Sequence, residues 1–181
     1  MNDMPTCEWM GDPAVVQGKI YIIGCKRFPS GADGKVLEYN PSNDSWTVKT
    51  PMPTARYAPA TAVYNNKIYV LGGNYGTSKN EVYDPVTDSW DTKADVIFSN
   101  YGWGVAGTIG NKIYFVDSGS GGKFAVYDPS NNTWTSLDPL PTPRDYLTGD
   151  VMSGVLFVIG GMDNDGDSTK IVEIYIPSIA S

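Results

Sequence analysis

Apolar residues come in short bursts along this chain, and the bursts recur. "GKIYIIGC" (18–25), "NKIYVLGG" (66–73), "NKIYFVDS" (111–118) and "GVLFVIGG" (154–161) are four versions of one segment. Apolar side chains fall on both of its faces, as expected of a strand covered on both sides. A weaker strand precedes it, typified by "TAVYNN", with Ala62 and Tyr64 on one side and Val63 on the other. The two are joined by Gln17-Gly18, Asn65-Asn66, Gly110-Asn111 or Ser153-Gly154. These residue types tolerate the positive φ that a tight hairpin demands. A third strand ends at Tyr39, Tyr83 or Tyr127. It is followed by Asn40-Pro41, Asp84-Pro85 or Asp128-Pro129, an Asx-Pro turn signal. A fourth strand then carries Trp46, Trp90 or Trp134. Each unit therefore reads as a four-stranded antiparallel meander.

The tyrosines at 39, 83 and 127 are 44 residues apart, and so are the tryptophans at 46, 90 and 134. Four units result, over residues 4–51, 52–96, 97–139 and 140–181, making one domain of the whole 1–181 chain. The only connection that changes much in length runs from the end of the second strand to the tyrosine. It spans 15, 11, 10 and 15 residues from Gly24, Gly72, Asp117 and Gly160. Fixed connections belong to a frame, and a variable one is expected to be a surface loop. A lone sheet with two apolar faces cannot bury both. Stacked copies can, and strand twist makes such stacks radiate about an axis with small residues at the crowded centre. The expected fold is all-β: a propeller of four blades. The tryptophan seven residues after Tyr175 would fall beyond Ser181, so the last blade is expected to lack its outer strand. The expectation is a chain incomplete at its C-terminus, or a ring closed by another copy.

At this point the chain resembles the kelch family. The marks are Arg56 and Arg144 before the first strand, Gly72-Gly73 and Gly160-Gly161 after the second, then Tyr and Trp at fixed spacing. Departures are Gly24-Cys25 and Asp117-Ser118 at the Gly-Gly position, and Glu8 and Tyr101 at the Arg position. The resemblance implies a kelch-type β-propeller used to hold protein partners.

Composition narrows the function. The net charge is −7 and the 13 lysines and arginines are scattered, so neither nucleic acid nor an acidic membrane surface is an expected partner. "GVLFVIGGM" is too short for a membrane span, and "MNDMPTCEWMGDP" is no secretory signal, which argues for the cytoplasm. Cys7 and Cys25 read as two small buried hydrophobes, with one disulfide as the alternative. There are no histidines, which removes Ser-His-Asp and Cys-His nucleophiles and imidazole-held metals. No phosphate-binding or dinucleotide fingerprint is present, and no catalytic residue, metal or cofactor is expected. "DNDGDS" (163–168) alternates Asp163, Asp165 and Asp167, but its glycine sits wrongly for a calcium loop, so it reads as a solvated polar loop.

The loops entering the first strand and leaving the second share one face of a kelch-like blade. That face would gather Arg27, Phe28, Arg56, Tyr57, Tyr75, Tyr101, Trp103, Arg144, Tyr146 and Asp163. Arg with Tyr and Trp is the composition of binding hot spots. The leading expectation is a non-enzymatic module binding a protein or peptide across this face. The alternatives are a carbohydrate-binding or carbohydrate-acting propeller that stacks sugars on Tyr and Trp, and an assembly protein that associates with itself through the unfinished edge. For Arg56 and Arg144 the competing reading is structural, tying neighbouring blades together.

Overall fold

Among the described residues, fifteen strands pair only with strands next to them in the chain. In the computed structural model, which describes residues 2–7, 11–27, 31–74, 77–98, 102–118 and 121–177, they form four antiparallel sheets. The first holds β1 (Asp12–Val16), β2 (Lys19–Arg27), β3 (Gly31–Asn40) and β4 (Ser45–Lys49). The second holds β5 (Ala60–Tyr64), β6 (Lys67–Leu71), β7 (Asn80–Asp84) and β8 (Ser89–Thr92). The third holds β9 (Val105–Ile109), β10 (Lys112–Val116), β11 (Phe124–Asp128) and β12 (Thr133–Leu137). The fourth stops at three: β13 (Thr148–Met152), β14 (Val155–Ile159) and β15 (Val172–Tyr175). The sheets are the blades of a four-bladed propeller whose last blade has three strands among the described residues, as the spacing predicts.

The hairpin turns behave as their residue types require. Gln17, Asn65, Asn66 and Ser153 sit at φ 50°, 49°, 58° and 53°, beside Gly18, Gly110 and Gly154. The Asx-Pro turns also repeat: the Asn40, Asp84 and Asp128 side chains accept from the N–H groups of Ser42, Val86 and Ser130 at 3.0, 2.9 and 2.9 Å.

The core lies between blades rather than within them. Tyr21, Ile23 and Val36 of the first blade pack on Ile68, Val70 and Tyr83 of the second. Tyr69, Leu71 and Val82 then meet Ile113, Phe115 and Tyr127 of the third. Tyr114, Val116 and Phe124 meet Leu156 and Val158 of the fourth. This is why "KIYVLGG" is apolar on both faces. The first strand of each blade is innermost, and small residues sit there: Ala14, Ala62, Gly107 and Gly149. A Cβ added at Gly107 would lie 2.2 Å from the Val151 side chain. The front face of the fourth blade has no blade against it, leaving Met152 and Ile174 65% and 58% exposed.

Each complete blade is closed by the same clasp. The Tyr hydroxyls of Tyr39, Tyr83 and Tyr127 donate to the side chains of Asp44, Asp88 and Asn132 at 2.8, 2.6 and 2.7 Å. Those side chains also accept from the backbone N–H of Asn2, Thr50 and Ala94 at 2.9, 3.0 and 2.8 Å. The carbonyls of the same three residues accept from the indole N–H of Trp46, Trp90 and Trp134 at 3.2, 3.0 and 2.8 Å. The outer hairpin thus grips the connector that precedes its own blade. Tyr and Trp face each other across the outer strand pair with ring centroids 4.9, 5.1 and 5.0 Å apart. Each such contact contributes about 0.5–1.5 kcal/mol beyond area burial.

Two expectations are corrected. Cys7 and Cys25 are not separate buried thiols but a disulfide, which ties the N-terminal segment to the long second strand of the first blade. Sequence could not choose between the readings because the pairing depends on where residues 2–7 return. Asn2 is held by Asp44 and Trp46, and Thr6 accepts from Lys35, which brings Cys7 against Cys25. The second correction concerns the 15-residue connection after Gly24. Much of it is strand, not loop: β2 and β3 continue their pairing through Cys25↔Asp33, Lys26↔Ala32 and Arg27↔Gly31. A register shift between Ile23 and Cys25, with Gly24 at φ 74°, bends the pair and lets it extend.

At the centre, β1, β5, β9 and β13 line one cavity of about 250 Å³ that includes Asp12, Thr61, Ala106 and Asp150. Thr61 donates its backbone N–H and its hydroxyl to Asp12 at 2.6 and 2.7 Å, joining the first two blades. Burial pushes the Asp12 carboxyl up to about 6 against the pull of these bonds, and the charge of Asp150 adds to the rise. The folded value lies above the unfolded one. Asp12 therefore contributes stability that is full below pH ~4 and is lost as pH rises through about 6. Replacing Asp12 with Asn should remove that loss: the stability of the variant relative to the parent should climb between pH ~4 and ~6 in urea titrations. A flat difference across that range would refute the assignment.

Candidate functional site

The Gly-Gly position and the segment leading into the first strand meet on one face of the blades. Gly73, at φ 122°, lets the backbone pass where an added Cβ would stand 3.0 Å from Cδ of Arg56. Gly161, at φ 98°, does so 2.4 Å from the Asp145 carbonyl. Each lead-in segment is fixed from below by a buried arginine. Arg56 donates to the carbonyls of Thr54 and Val70 at 2.9 and 3.0 Å and to the carboxylate of Glu81. Arg144 repeats the set with Thr142 and Val158 at 2.8 and 3.1 Å and Glu173 at 2.6 Å, and adds the Gly160 carbonyl at 2.6 Å. One guanidinium thus holds the lead-in, the second strand and the third strand together. Burial pulls Arg56 below its usual value, and the neighbouring Glu81 works against that pull.

Both arginines are 1% exposed. They lie inside the blade, and the partners of each belong to its own blade, which corrects the reading that they tie neighbouring blades together. Tyr57 is buried too, under the Lys26 ammonium 5.0 Å from its ring centre. Trp103 and Tyr146 are different. They occupy the same place in successive blades, as does Ala58: each stands two residues before its first strand. All three have left-handed backbone, with φ of 49°, 58° and 54° for Ala58, Trp103 and Tyr146. That conformation is costly for a bulky side chain and clusters at functional sites. The blades hold it in place through the Trp103 N–H to the Ala58 carbonyl at 3.0 Å and the Tyr146 N–H to Ser118 Oγ at 2.7 Å. Ser118 is part of the departure from Gly-Gly, and its hydroxyl makes a bond that glycine could not.

The result is an aromatic run across the face. Tyr57 meets Trp103 edge-on at 6.3 Å, and Trp103 meets Tyr146 at 4.8 Å. Tyr146 is 52% exposed, an unusual position for an aromatic ring held so firmly. Asp163 lies nearby, because Met162 and Asp145 exchange backbone hydrogen bonds of 2.8 Å. Its carboxylate accepts from the N–H groups of Asp165 and Asp167 at 3.1 and 2.9 Å, so the acidic loop is wound on itself. Phe28, Tyr75 and Tyr101, and the side chain of Arg27, lie outside the described residues. The glutamates that bind the arginines went unnoticed in the sequence. A signal existed: Glu81 and Glu173 stand two residues before the blade tyrosine only in the two units that carry arginine, where the others have Leu37 and Ala125.

Comparisons with known proteins agree with this architecture. Residues 55–96 match the Kelch motif family. Kelch-like protein 35 of Homo sapiens is 35% identical over 178 residues, which are 94% of this chain and 30% of that protein. Kelch repeat and BTB domain-containing protein 12 of Homo sapiens is 36% identical over 159 residues, 81% of this chain and 20% of its own length. Beta-scruin of Limulus polyphemus is 25% identical over 179 residues, 97% of this chain and 16% of its own. The chain thus spans less than a third of each of these relatives. The solved structure described as "Structure of YjhT" superposes with a TM-score of 0.78 at 14% identity, covering 93% of this chain and 66% of that one, which speaks for the fold alone. Propellers of this kind are generally modules of protein interaction. Repeated meanders, inter-blade cores and these matches agree: the chain is built of kelch-type repeats, with a Kelch motif at residues 55–96.

Proposed function

We propose that the chain is a non-enzymatic interaction module that binds a protein or peptide partner across the loop face, with Trp103 and Tyr146 as its anchors. The observation that carries this reading is the tilted, partly exposed aromatic pair, ring centres 4.8 Å apart, held in left-handed backbone at one position of two successive blades. Rigid aromatics contribute large contact area at low entropic cost, and strained backbone survives where the surrounding structure over-determines it. Arg27, Phe28, Tyr75 and Tyr101 extend the face in this reading. Arg56, Tyr57 and Arg144 hold the platform from within.

Tyr146→Gly separates binding from folding. Glycine suits φ 54° better than tyrosine, so the variant should be as stable as the parent or more so, by up to about 1 kcal/mol. Its captured partner should nevertheless dissociate at least about 30-fold more readily, the loss of a ~2 kcal/mol hot spot. The measurement is quantitative affinity capture from a cell extract followed by titration of the captured protein. Unchanged capture by Tyr146→Gly and Trp103→Ala would overturn the proposal. Saturable binding to an oligosaccharide array that both substitutions abolish would transfer the same platform to the carbohydrate reading.

A further inference from the structure

The second and third blades enclose a pocket at the end of the strands opposite the loop face. Its volume is about 340 Å³, at the lower end for small-molecule sites, and it reaches from Tyr64 to the Asx-Pro turn of the third blade at Pro129 and Ser130. Strand register builds its wall. On the face that the second blade turns to the third, Tyr69 stands beside Val82, and Val82 beside Asp91. One step further along the strands, Tyr64 stands beside Lys67, and Asp84 beside Ser89. Both rows line the pocket.

The first blade shows how the same place can be filled from within. There Glu38 stands 44 residues before Val82, and its carboxylate accepts from the Tyr21 hydroxyl at 2.8 Å and the Lys19 ammonium at 2.7 Å. Val82 has no such group. Neither the Tyr69 nor the Tyr64 hydroxyl has a hydrogen-bond partner among the described residues, and neither is sealed from solvent. Two residues depart from the repeat at this spot. Tyr64 stands where the other blades have Val16, Ile109 and Met152, and Asp91 where they have Thr47 and Thr135. Lys67 pairs with Asp84 at 2.9 Å, and Lys93 pairs with Asp91. Each ammonium holds its carboxyl below the usual range, so both acids are ionised acceptors at neutral pH.

We propose that this pocket binds a neutral pyranose, as free sugar or as the end of a glycan chain. The charges of the two lysines and two aspartates cancel, so a ligand of either sign meets repulsion as well as attraction. What remains is a set of donors and acceptors side by side, which suits hydroxyls because each both donates and accepts. Asp84 and Asp91 accept from sugar hydroxyls. The two ammonium groups and the Tyr64 and Tyr69 hydroxyls donate to sugar oxygens. The Val82 methyls and the Tyr64 ring, edge-on to Tyr69 at 6.3 Å, receive the C–H face of the sugar.

The test titrates D-glucose, D-galactose, D-mannose, N-acetyl-D-glucosamine, lactose and cellobiose into the whole chain, read by saturation-transfer NMR of the sugar. At least one should bind saturably, with a Kd at or below roughly 5 mM. Tighter binding of the disaccharides would identify a glycan end, and equal binding the free sugar. Asp91→Ala should weaken binding at least about 10-fold, the share of a hydrogen bond to a charged group. The Asp91 side chain is 67% exposed, so this variant should fold as the parent does. Tyr69→Phe should weaken binding about 2–10-fold, the share of one neutral hydrogen bond. Val82→Glu, which installs the arrangement of the first blade, should abolish it. Amide exchange over residues 64–67 and 89–93 should slow when the sugar is added. No saturable binding by any of the six, undiminished binding by Asp91→Ala, or preference for glucosamine or glucuronate would each overturn the proposal. Protection at residues 144–147 instead would place the sugar on the loop face and overturn this site. Partner capture by Tyr146→Gly is measured without sugar, so this pocket and the loop face stand or fall separately.

Discussion

Arg56→Ala is expected to lower the unfolding free energy by about 3–5 kcal/mol, a large part of the total for a domain of this size. The side chain is fully buried and donates to three partners drawn from three segments of the second blade. Removing it strips two carbonyls of a donor and leaves Glu81, whose side chain is 3% exposed, as an unpaired buried charge. The uncompensated carboxylate, not the lost attraction, is the larger part of the cost. Two companions sharpen the result. Arg56→Lys should recover little, because an ammonium cannot fork to carbonyl and carboxylate together. Arg56→Met with Glu81→Leu should recover most of the loss, because no charge remains to be solvated. Arg144→Ala should cost less, since the Glu173 side chain is 16% exposed and water can reach it. Urea titrations of the set decide the matter. A cost under 1 kcal/mol for Arg56→Ala would mean the arginine does not hold the lead-in to the second and third strands.

Gly161→Ala is expected to cost about 2–4 kcal/mol, combining left-handed strain with overpacking. At φ 98° the added Cβ would stand 2.4 Å from the Asp145 carbonyl and 3.3 Å from the Leu147 side chain. The carbonyl is backbone and belongs to the Asp145–Met162 bridge, so relief requires breaking that bridge. Gly154→Ala is the matched control. It also has positive φ, 77°, but nothing lies within 4 Å of its added Cβ, so only the backbone penalty of about 1 kcal/mol applies. If the two substitutions cost the same, close approach is not why this position is glycine. Because Asp145 adjoins Tyr146, Gly161→Ala should also weaken partner capture.

The frame of this molecule was legible because it repeats. A strand covered on both faces, a turn that needs positive φ, and a Tyr-to-Trp interval that never varies are local properties, and copying the first two four times and the last three times averages away accident. What the repeat could not reveal were the partners of single residues. Arg56 and Arg144 look like surface binding groups until Glu81 and Glu173 are seen beneath them. Trp103 and Tyr146 come from blades with dissimilar lead-ins, "NYGW" and "PRDY". Their equivalence rests on a shared φ, which residue type conceals because neither residue favours it. The stretch after Gly24 reads as a loop by its length, yet a bulge converts it to strand. The Cys7–Cys25 bond depends on a terminal segment occupying the connector's place against the first blade. Each of these is a tertiary decision, and tertiary context overrides local preference.

The clasp described above also bears on how the protein is made. Each indole reaches back to a residue synthesised 40 positions earlier in two blades and 44 in the first. A blade therefore seals itself as soon as its own last strand leaves the ribosome, without waiting for anything downstream. Assembly can proceed in the direction of translation, each finished blade offering its apolar face to the next as a growing surface.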